Sequence, residues 1–252
     1  MKITPIIKKM LSQQADSNKM IIITCCNHAY LTLLINWLFH IDKLKIRNFL
    51  IVAMDKEIFS FCQKKKIPTI LYSQEKKDTN LNFWQSRVDI FKMIIDAGYS
   101  FIHSDTDAVW KKNPLSLSYF GGQYDVVGSM AFAFPYEVVK IWGFILCCGF
   151  FYLKCSKFVK LRLMPDWQKM IMNKKPDDQA SLNFTLLQYK PQWDETTYLH
   201  FSKSPLTGKG FYNIGRNNKM YSIHMLPHGL FQRQIFRDKK VMHIFTQMQP
   251  YI

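Results

Sequence analysis

The feature that most constrains this chain is the tripeptide Asp105-Thr106-Asp107, which follows the apolar run Tyr99-Ser100-Phe101-Ile102-His103. The run has the length and composition of a buried strand, so the two acids stand where a strand should end. Alternation along a strand would point Asp105 and Asp107 to the same side, where two carboxylates without a counter-ion repel each other. A hard divalent cation removes that repulsion, and oxygen ligands suit Mg²⁺ or Mn²⁺. The tripeptide therefore predicts a metal site, with an Asp-rich turn that caps a helix as the alternative.

The composition is that of a globular protein with an anionic partner. Of the 252 residues, 48% are hydrophobic and 15% are aromatic, which is too apolar for a disordered chain. The formal net charge of +16 favours an anionic ligand, partner or surface. The lysines form short clusters without a recognised nucleic-acid motif, so no nucleic acid is expected as a partner. Peripheral contact with an anionic membrane surface stays open.

Targeting signals and cysteines bear on the compartment. The sequence contains no apolar run of about 18 residues and no signal peptide. We therefore expect no transmembrane segment and a cytoplasmic location.

The six cysteines include two adjacent pairs in strand-like runs and no CxxC motif. This pattern predicts buried, reduced thiols rather than disulfides or a zinc ribbon.

Strand-like and helical patterns alternate in the first part of the chain. Strands are predicted at residues 20–26, 49–54 and 67–72, and helices at 29–40 and 57–65, which is typical of an α/β fold with a parallel sheet. The clearest helix is predicted over 81–97, where Gly98 is placed to end it. The strand that leads to Asp105 then follows at 100–103.

The second part of the chain is less regular. Strands are predicted at 124–130 and 142–154, and helices from Ser156 to about 172 and from Asp177 to about 188. From Thr196 onward, glycines and prolines predict irregular loops that carry site residues. No linker or repeat is visible, so residues 1–252 are expected to form one domain. Its nucleotide-binding half covers about 18–110 and its acceptor-side half about 111–252.

Several short strings together resemble the nucleotide-diphospho-sugar transferase family. The most specific is the run 103–110 around Asp105-Thr106-Asp107, followed by Asn113-Pro114. Five further stretches contribute to the resemblance: Asn27-His28-Ala29-Tyr30-Leu31 with Asn36-Trp37, Leu50-Ile51-Val52-Ala53-Met54-Asp55, Gly149-Phe150-Phe151-Tyr152-Leu153, Asp178-Gln179 with Leu182-Asn183, and Leu226-Pro227 with Leu230-Phe231. The resemblance therefore covers nearly the whole chain.

This resemblance implies a fold and an activity. The fold would be the GT-A type, a Rossmann-type mixed sheet flanked by helices. The activity would be metal-dependent transfer of a hexosyl or pentosyl group from a nucleoside-diphosphate sugar, a UDP-sugar by preference, to an acceptor hydroxyl with retention of configuration. The acceptor would be a glycan, a protein or a lipid, and the cofactor Mn²⁺ or Mg²⁺.

The same resemblance gives roles to several acids and a histidine. Asp107 would bind the metal directly, and Asp105 would bind the ribose hydroxyls or reach the metal through water. His243 would supply a third ligand from the C-terminal segment, with His224 and His228 as weaker candidates. A cation at the donor diphosphate would stabilise the charge that grows on the leaving group.

Four further residues are predicted to contact the donor nucleotide. Thr24 and Asn27 end the first strand, where an open α/β sheet receives a nucleobase and ribose; their structural alternatives are a helix cap and a turn. Asp55 ends the next strand and is a candidate contact for the base or ribose. Arg87 is a candidate contact for the diphosphate, with a solvated helix face as the alternative.

The resemblance makes Asp178 and Gln179 the candidate wall near the anomeric carbon of the sugar. Asp177 and Asp178 also stand where carboxylates stabilise a helix N-terminus, which is the structural alternative.

Two other functions are alternatives to sugar transfer. One is a haloacid-dehalogenase-like phosphatase in which Asp105 attacks phosphate. The other is an inactive transferase-like domain that binds an acidic partner.

Overall fold

The computed structural model describes residues 4–72, 80–110, 113, 115, 120, 124–131, 134–173, 177–189, 223–225 and 231–233. The helices are α1 (Pro5–Gln14), α2 (Leu31–Lys43), α3 (Lys56–Lys64), α4 (Asn80–Asp96), α5 (Tyr136–Trp142), α6 (Met164–Asn173) and α7 (Asp178–Gln188). The strands are β1 (Met20–Cys26), β2 (Phe49–Ala53), β3 (Thr69–Leu71), β4 (Ser100–Ser104), β5 (Ala108–Trp110), β6 (Val126–Ala131), β7 (Ile145–Leu153), β8 (Ile223–Met225) and β9 (Phe231–Arg233).

One mixed sheet organises the described part of the chain, in the strand order β3-β2-β1-β4-β7-β6-β8. Strands β3, β2, β1 and β4 are parallel to one another. Strand β7 is antiparallel to both β4 and β6, and β8 is parallel to β6. Strands β5 and β9 form a separate antiparallel pair. The predicted α/β fold with a mixed sheet is confirmed.

Helices cover both faces of the sheet, which explains why its strands are apolar throughout. Every residue of β1 is buried. Ile21 and Ile23 belong to the core that also contains residues of α4, α6 and α7. Ile22 and Cys26 belong to the opposite core, with residues of α2 and α3. Burial on two faces is what a continuous hydrophobic strand requires.

The strand order reverses between β1 and β4, and this reversal creates a crevice at the carboxyl ends of the two strands. From β1 the chain proceeds outward through β2 to β3, whereas β4 returns to the other side of β1. Ile23 pairs with His103 in the parallel register of these two strands. The carboxyl ends of β1 and β4 therefore open side by side, at the crevice where open α/β sheets bind their ligands.

Local sequence signals placed several elements correctly. The helix predicted over 81–97 is α4, and Gly98 follows it with a φ of 90°. Asp177 caps α7, because its Oδ1 atom accepts a hydrogen bond from the backbone N–H of Ala180 at 2.6 Å. Ser156 likewise accepts from Val159 N at 3.2 Å. A π-helical turn at Val159–Leu163 then precedes α6.

Other expectations were wrong. The direction of β7, which is antiparallel to both of its neighbours, was not predicted. Residues 142–144 do not belong to the strand predicted at 142–154, because α5 ends at Trp142 and Gly143 turns the chain with a φ of 80°. Helix α1 was not predicted. Most of the loops predicted after Thr196 lie outside the described residues.

The cysteines are free thiols, as predicted, and five of the six are buried. Cys25 and Cys26 pack into opposite cores, as neighbours in a strand must. In the part of the chain that the structure describes, no helix is long and apolar enough to cross a membrane.

Candidate active site

Asp105 and Asp107 lie in a tight turn rather than on a strand. Strand β4 ends at Ser104, the Ala108 N–H donates to the Asp105 carbonyl at 3.1 Å, and β5 begins at Ala108. The Asp105 N–H donates to the carbonyl of Gly149 on β7 at 2.8 Å. The expected strand alternation is therefore wrong, and the turn itself brings the two acids to the sheet edge.

Ser104 fixes the turn from below. Its hydroxyl accepts hydrogen bonds from the indole N–H groups of Trp37 at 3.0 Å and Trp110 at 2.9 Å, and donates to the Asp105 carbonyl at 3.1 Å. Both tryptophans are almost completely buried. A buried hydrogen-bond network of this kind holds a turn in one conformation, which an active site needs.

Arg87 on α4 is the centre of the site. It is 3% exposed, so the alternative of a solvated helix face is wrong. Its Nη2 atom lies 3.1 Å from Oδ1 of Asp105, and its Nε atom lies 3.1 Å from Oδ2 of Asp178. The guanidinium carbon lies 4.9 Å from the ring centroid of Trp84, within the range of a cation–π contact. Asp105 therefore has a protein counter-ion, which the sequence analysis did not foresee.

The charge of Arg87 is held by its two acidic partners. Burial alone would lower the pKa of Arg87, but Asp178 and Asp105 together raise that pKa above its usual value. The guanidinium also approaches the carbonyl of Cys148 at 3.5 Å. Arg87 thus links a residue of α7, the Asp105 turn and strand β7 through one permanent positive charge.

His103 is a site residue that the sequence analysis missed. It is fully buried on β4, and its Nε2 atom lies 2.5 Å from Arg87 Nη2 and 3.1 Å from Oδ1 of Asp105. An arginine nitrogen can only donate, so a hydrogen bond from Arg87 requires Nε2 of His103 to accept, whereas a hydrogen bond to the Asp105 carboxylate requires Nε2 to donate. The signal was its position two residues after Phe101, on the strand face that α4 covers.

The side chains of α7 attach this helix to an irregular part of β7. The pairing of β6 with β7 shifts between Gly128 and Ser129. Next to this shift, Gln179 accepts from Cys148 N at 3.2 Å and donates to the Phe134 carbonyl at 2.7 Å. Asn183 pairs with both backbone groups of Leu146. Gln179 therefore lies beside the Arg87 cluster with its amide engaged by the backbone.

Asp178 is an unusual carboxyl group because it is both buried and paired. Burial raises the pKa of Asp178 to about 6; Arg87 opposes this, and Asp105 and Asp177 add to it. Because Arg87 contacts both Asp105 and Asp178, its charge does not fully offset the effect of burial on the pKa of Asp178. This group can change its protonation state near neutral pH.

Two thiols border the same cluster. Cys25 at the end of β1 is near Arg87, Asp105 and Asp178, and burial raises its pKa to about 12. Burial also raises the pKa of Cys148 well above its usual value, with Asp178 acting in the same direction. Both thiols therefore stay protonated at neutral pH and act as small apolar walls of the site.

Of the residues predicted at the ends of β1 and β2, Asp55 is hydrogen-bonded to the backbone, whereas the side-chain oxygens of Thr24 and Asn27 have no partner among the described residues. Asp55 accepts from Ile58 N at 2.8 Å, which caps α3, and its second oxygen accepts from His28 N at 2.5 Å. Thr24 is fully buried, and no described residue hydrogen-bonds its hydroxyl. Thr24 shares a strand face with Ile22 and Cys26, so it lies on the side of the sheet away from Cys25. The side-chain amide oxygen Oδ1 of Asn27 is likewise unpaired among the described residues.

The predicted third metal ligand is not described. His243 and His228 lie outside the described residues, and His224 is located in β8 by its backbone. Asp107 is 9% exposed beside Asp105. Among the described residues, no group of three His, Cys, Asp or Glu side chains could hold a metal ion. Any complete metal site must therefore include a residue beyond them or the substrate itself.

Comparison with known proteins identifies the family. The family model described as nucleotide-diphospho-sugar transferase matches residues 44–252. The chain belongs to this family. The expected glycosyltransferase class is thereby confirmed, and the phosphatase alternative is not supported. Its sequence contains both acids of the Asp105-Thr106-Asp107 turn.

Three plant proteins are similar in sequence, all from Arabidopsis thaliana. The arabinosyltransferase RRA2 is 25% identical over 84% of this chain and 54% of its own length. The arabinosyltransferase XEG113 is 24% identical over 70% of the chain and 29% of its own length. The beta-arabinofuranosyltransferase RAY1 is 25% identical over 44% and 23%. The chain thus spans about half the length of RRA2 and less than a third of the lengths of XEG113 and RAY1.

A solved structure supports the fold independently. The galactosyltransferase LgtC, solved with donor and acceptor sugar analogs, superposes with a TM-score of 0.52 at 12% identity. The superposition covers 91% of this chain and 95% of that one. At this identity the likeness concerns the fold, and it agrees with the GT-A architecture predicted for this transferase.

Proposed function

We propose that this chain transfers a sugar from a UDP-sugar to an acceptor hydroxyl, with help from a divalent cation and with retention of configuration. The observation that carries the proposal is the position of Arg87. It holds Asp105 and Asp178 together at the carboxyl edge of the sheet, at the strand-order switch between β1 and β4. Arg87 is buried and paired with both acids, so it would position them, while the cation would meet the charge of the donor diphosphate.

The donor set of the Asp105 turn fits a hard cation. Asp105 and Asp107 offer carboxylate oxygens, which Mn²⁺ and Mg²⁺ prefer. Because Arg87 already engages Oδ1 of Asp105, Asp107 is the better direct ligand, with Asp105 acting on the ribose or through water. His243 is proposed as the third ligand. When bound, the cation would neutralise charge on the leaving diphosphate.

The pairing of Asp178 supports a front-face reaction over a covalent intermediate. A carboxylate that is 5% exposed and held 3.1 Å from a guanidinium is a weak nucleophile. In the front-face reaction, the bond from the anomeric carbon to the diphosphate breaks and the acceptor oxygen bonds to that carbon on the same face. The acceptor proton passes to the departing diphosphate oxygen. Asp178 and Gln179 would position the sugar during this step.

The names of the plant relatives guide the choice of donor. All three are called arabinosyl- or arabinofuranosyltransferases. A pentose is therefore the first sugar to test, before hexoses. Asp55 and Asn27, at the ends of β2 and β1, are proposed to face the uridine.

A panel of sugar nucleotides tests the proposal. Release of nucleoside diphosphate is measured with UDP-arabinose, UDP-xylose, UDP-glucose, UDP-galactose and GDP-mannose, with Mn²⁺ and with excess chelator. We expect turnover of a UDP-sugar that needs the cation and is lost in Asp107→Asn. An exposed-site control, Asp42→Asn, should retain it. Folded wild-type protein without turnover or binding of any donor would instead support the inactive binding domain.

A further inference from the structure

Three lysines occupy backbone conformations that lysine disfavours. Among the described residues, Lys19, Lys45 and Lys66 are the non-glycine residues with a positive φ, at 55°, 57° and 56°. A Cβ atom makes this left-handed region unfavourable, and glycine or asparagine is the usual occupant. All three lysines are exposed. They precede β1, β2 and β3, so they lie together at the amino edge of the parallel strands.

The end of α4 shows which residue usually occupies such a left-handed position after a helix. Helices α2, α3 and α4 end in the same pair of backbone hydrogen bonds, donated by a left-handed residue and by the residue after it. At the end of α4 the left-handed residue is Gly98. At the ends of α2 and α3 it is Lys45 and Lys66. Lysine thus stands where the fold would be more stable with glycine, which indicates a use for its charge.

These residues belong to a larger cluster, which we call the basic edge. It consists of exposed lysines at the ends of α2 and α3 and on the turns before β1, β2 and β3: Lys19, Lys43, Lys45, Lys64, Lys65 and Lys66. The acids in these turns offset little of this charge. Asp42 pairs with Arg47 at 2.8 Å, and Asp16, which accepts from the backbone N–H groups of Asn18 and Met20, keeps its own negative charge. Six lysines against that one carboxylate leave the basic edge positive.

We propose that the basic edge binds the anionic surface of a lipid bilayer. Neighbouring strands lie about 4.8 Å apart, so turns on β1, β2 and β3 form a short row of charges. Lysine ammonium groups are point charges that an array of lipid phosphates attracts without fixed geometry. Residues 17–19, 43–47 and 63–66 contain no aromatic ring that could stack on a nucleic-acid base.

The basic edge and the candidate active site lie at opposite ends of the same strands. Strand β1 has seven residues, which at about 3.3 Å per residue separates the two by roughly 20 Å. Membrane contact through the basic edge would leave the Asp105 turn facing the aqueous phase. The inference is independent of the donor chemistry, so it can fail without affecting the proposed function.

A vesicle-binding experiment tests this inference with matched charge changes. The 252-residue chain is sedimented with vesicles of phosphatidylcholine alone or with about 30% phosphatidylserine, at low and physiological ionic strength. One variant carries Lys19→Asn, Lys45→Asn and Lys66→Asn; the control carries Lys9→Gln, Lys140→Gln and Lys169→Gln, at exposed helix positions. Both variants lose the same charge. The asparagine variant should also unfold at an equal or higher temperature, because asparagine tolerates the left-handed region.

Wild type and control should bind the phosphatidylserine vesicles and not the neutral ones, and salt should weaken the binding. The asparagine variant should bind about a hundredfold more weakly, at about fivefold per lysine. Equal binding by both triple variants would overturn the inference. So would tighter binding to a short RNA or to polyglutamate than to vesicles, lost in the same variant, which would assign the basic edge to a nucleic acid or an acidic protein.

Discussion

Arg87 on α4 and Asp178 on α7 form an ion pair whose side chains are only 4% and 5% exposed, with 3.1 Å between Nε and Oδ2. The same guanidinium contacts Asp105 at 3.1 Å. A buried charge that loses its partner is strongly destabilising, whereas a complete pair is close to neutral for stability. We therefore expect this ion pair to matter for the site more than for stability, because Arg87 holds the carboxyl groups of Asp105 and Asp178 close together at the sheet edge.

Replacing Arg87 by methionine should destabilise the protein by about 3 to 5 kcal/mol, because two carboxylates lose their counter-ion. Urea unfolding at neutral pH measures the change. The double variant Arg87→Met, Asp178→Asn should recover part of the loss, since one of the stranded charges is gone. A double variant that loses the sum of both single effects would show that the two side chains are not coupled.

Asp178 should make stability depend on pH in a defined direction. Its folded pKa of about 6 lies above the unfolded value of about 4. Its contribution to stability is therefore complete below pH 4 and is lost as the pH rises through about 6. The free energy of unfolding of wild type minus that of Asp178→Asn should fall by about 1 to 3 kcal/mol over this window. A difference for Asp178→Asn that stays flat over this window would contradict the assignment.

The cysteines should be unreactive in the folded protein. Burial raises the pKa of Cys25 to about 12 and that of Cys148 well above its usual value, and only the thiolate reacts. A disulfide reagent at about pH 8 should modify Cys155 first, because the other five thiols are buried. After unfolding, all six should react. Fast modification of Cys25 in native protein would contradict the described packing.

His243 should matter only when the cation is present. We expect His243→Ala to weaken UDP binding at least about tenfold with Mn²⁺ and to leave it nearly unchanged without Mn²⁺. Calorimetric titration under both conditions measures this. An equal loss in both would make His243 a structural residue, and His224→Ala would then be the variant to titrate.

Local patterns predicted the framework because local physics decides it. Gly98 ends α4 and Asp177 caps α7 through contacts within a few residues. The direction of β7 was not predictable in this way, because a buried apolar run reads the same in a parallel or an antiparallel pair. Which strands become neighbours is a property of the whole chain.

The centre of the site was only partly readable from sequence. Arg87 was named as a donor contact, but its burial and its two acidic partners come from the packing of α4 against β4, β7 and α7. A signal was present: Trp84 and Phe91 lie three residues before and four after Arg87, which places the arginine on an apolar helix face. An arginine there needs buried acids, and the acids of the Asp105 turn and of α7 were the available ones.

Binding of a nucleoside diphosphate together with a cation at the Asp105 turn is tested most sharply at Asp107. UDP is titrated into wild type and Asp107→Asn with Mn²⁺ and with chelator, after both proteins are shown to be equally stable without metal. We expect Mn²⁺ to strengthen UDP binding at least about tenfold in wild type and to have no effect in Asp107→Asn. Equal Mn²⁺ dependence in the two proteins would mean that Asp107 does not hold the cation.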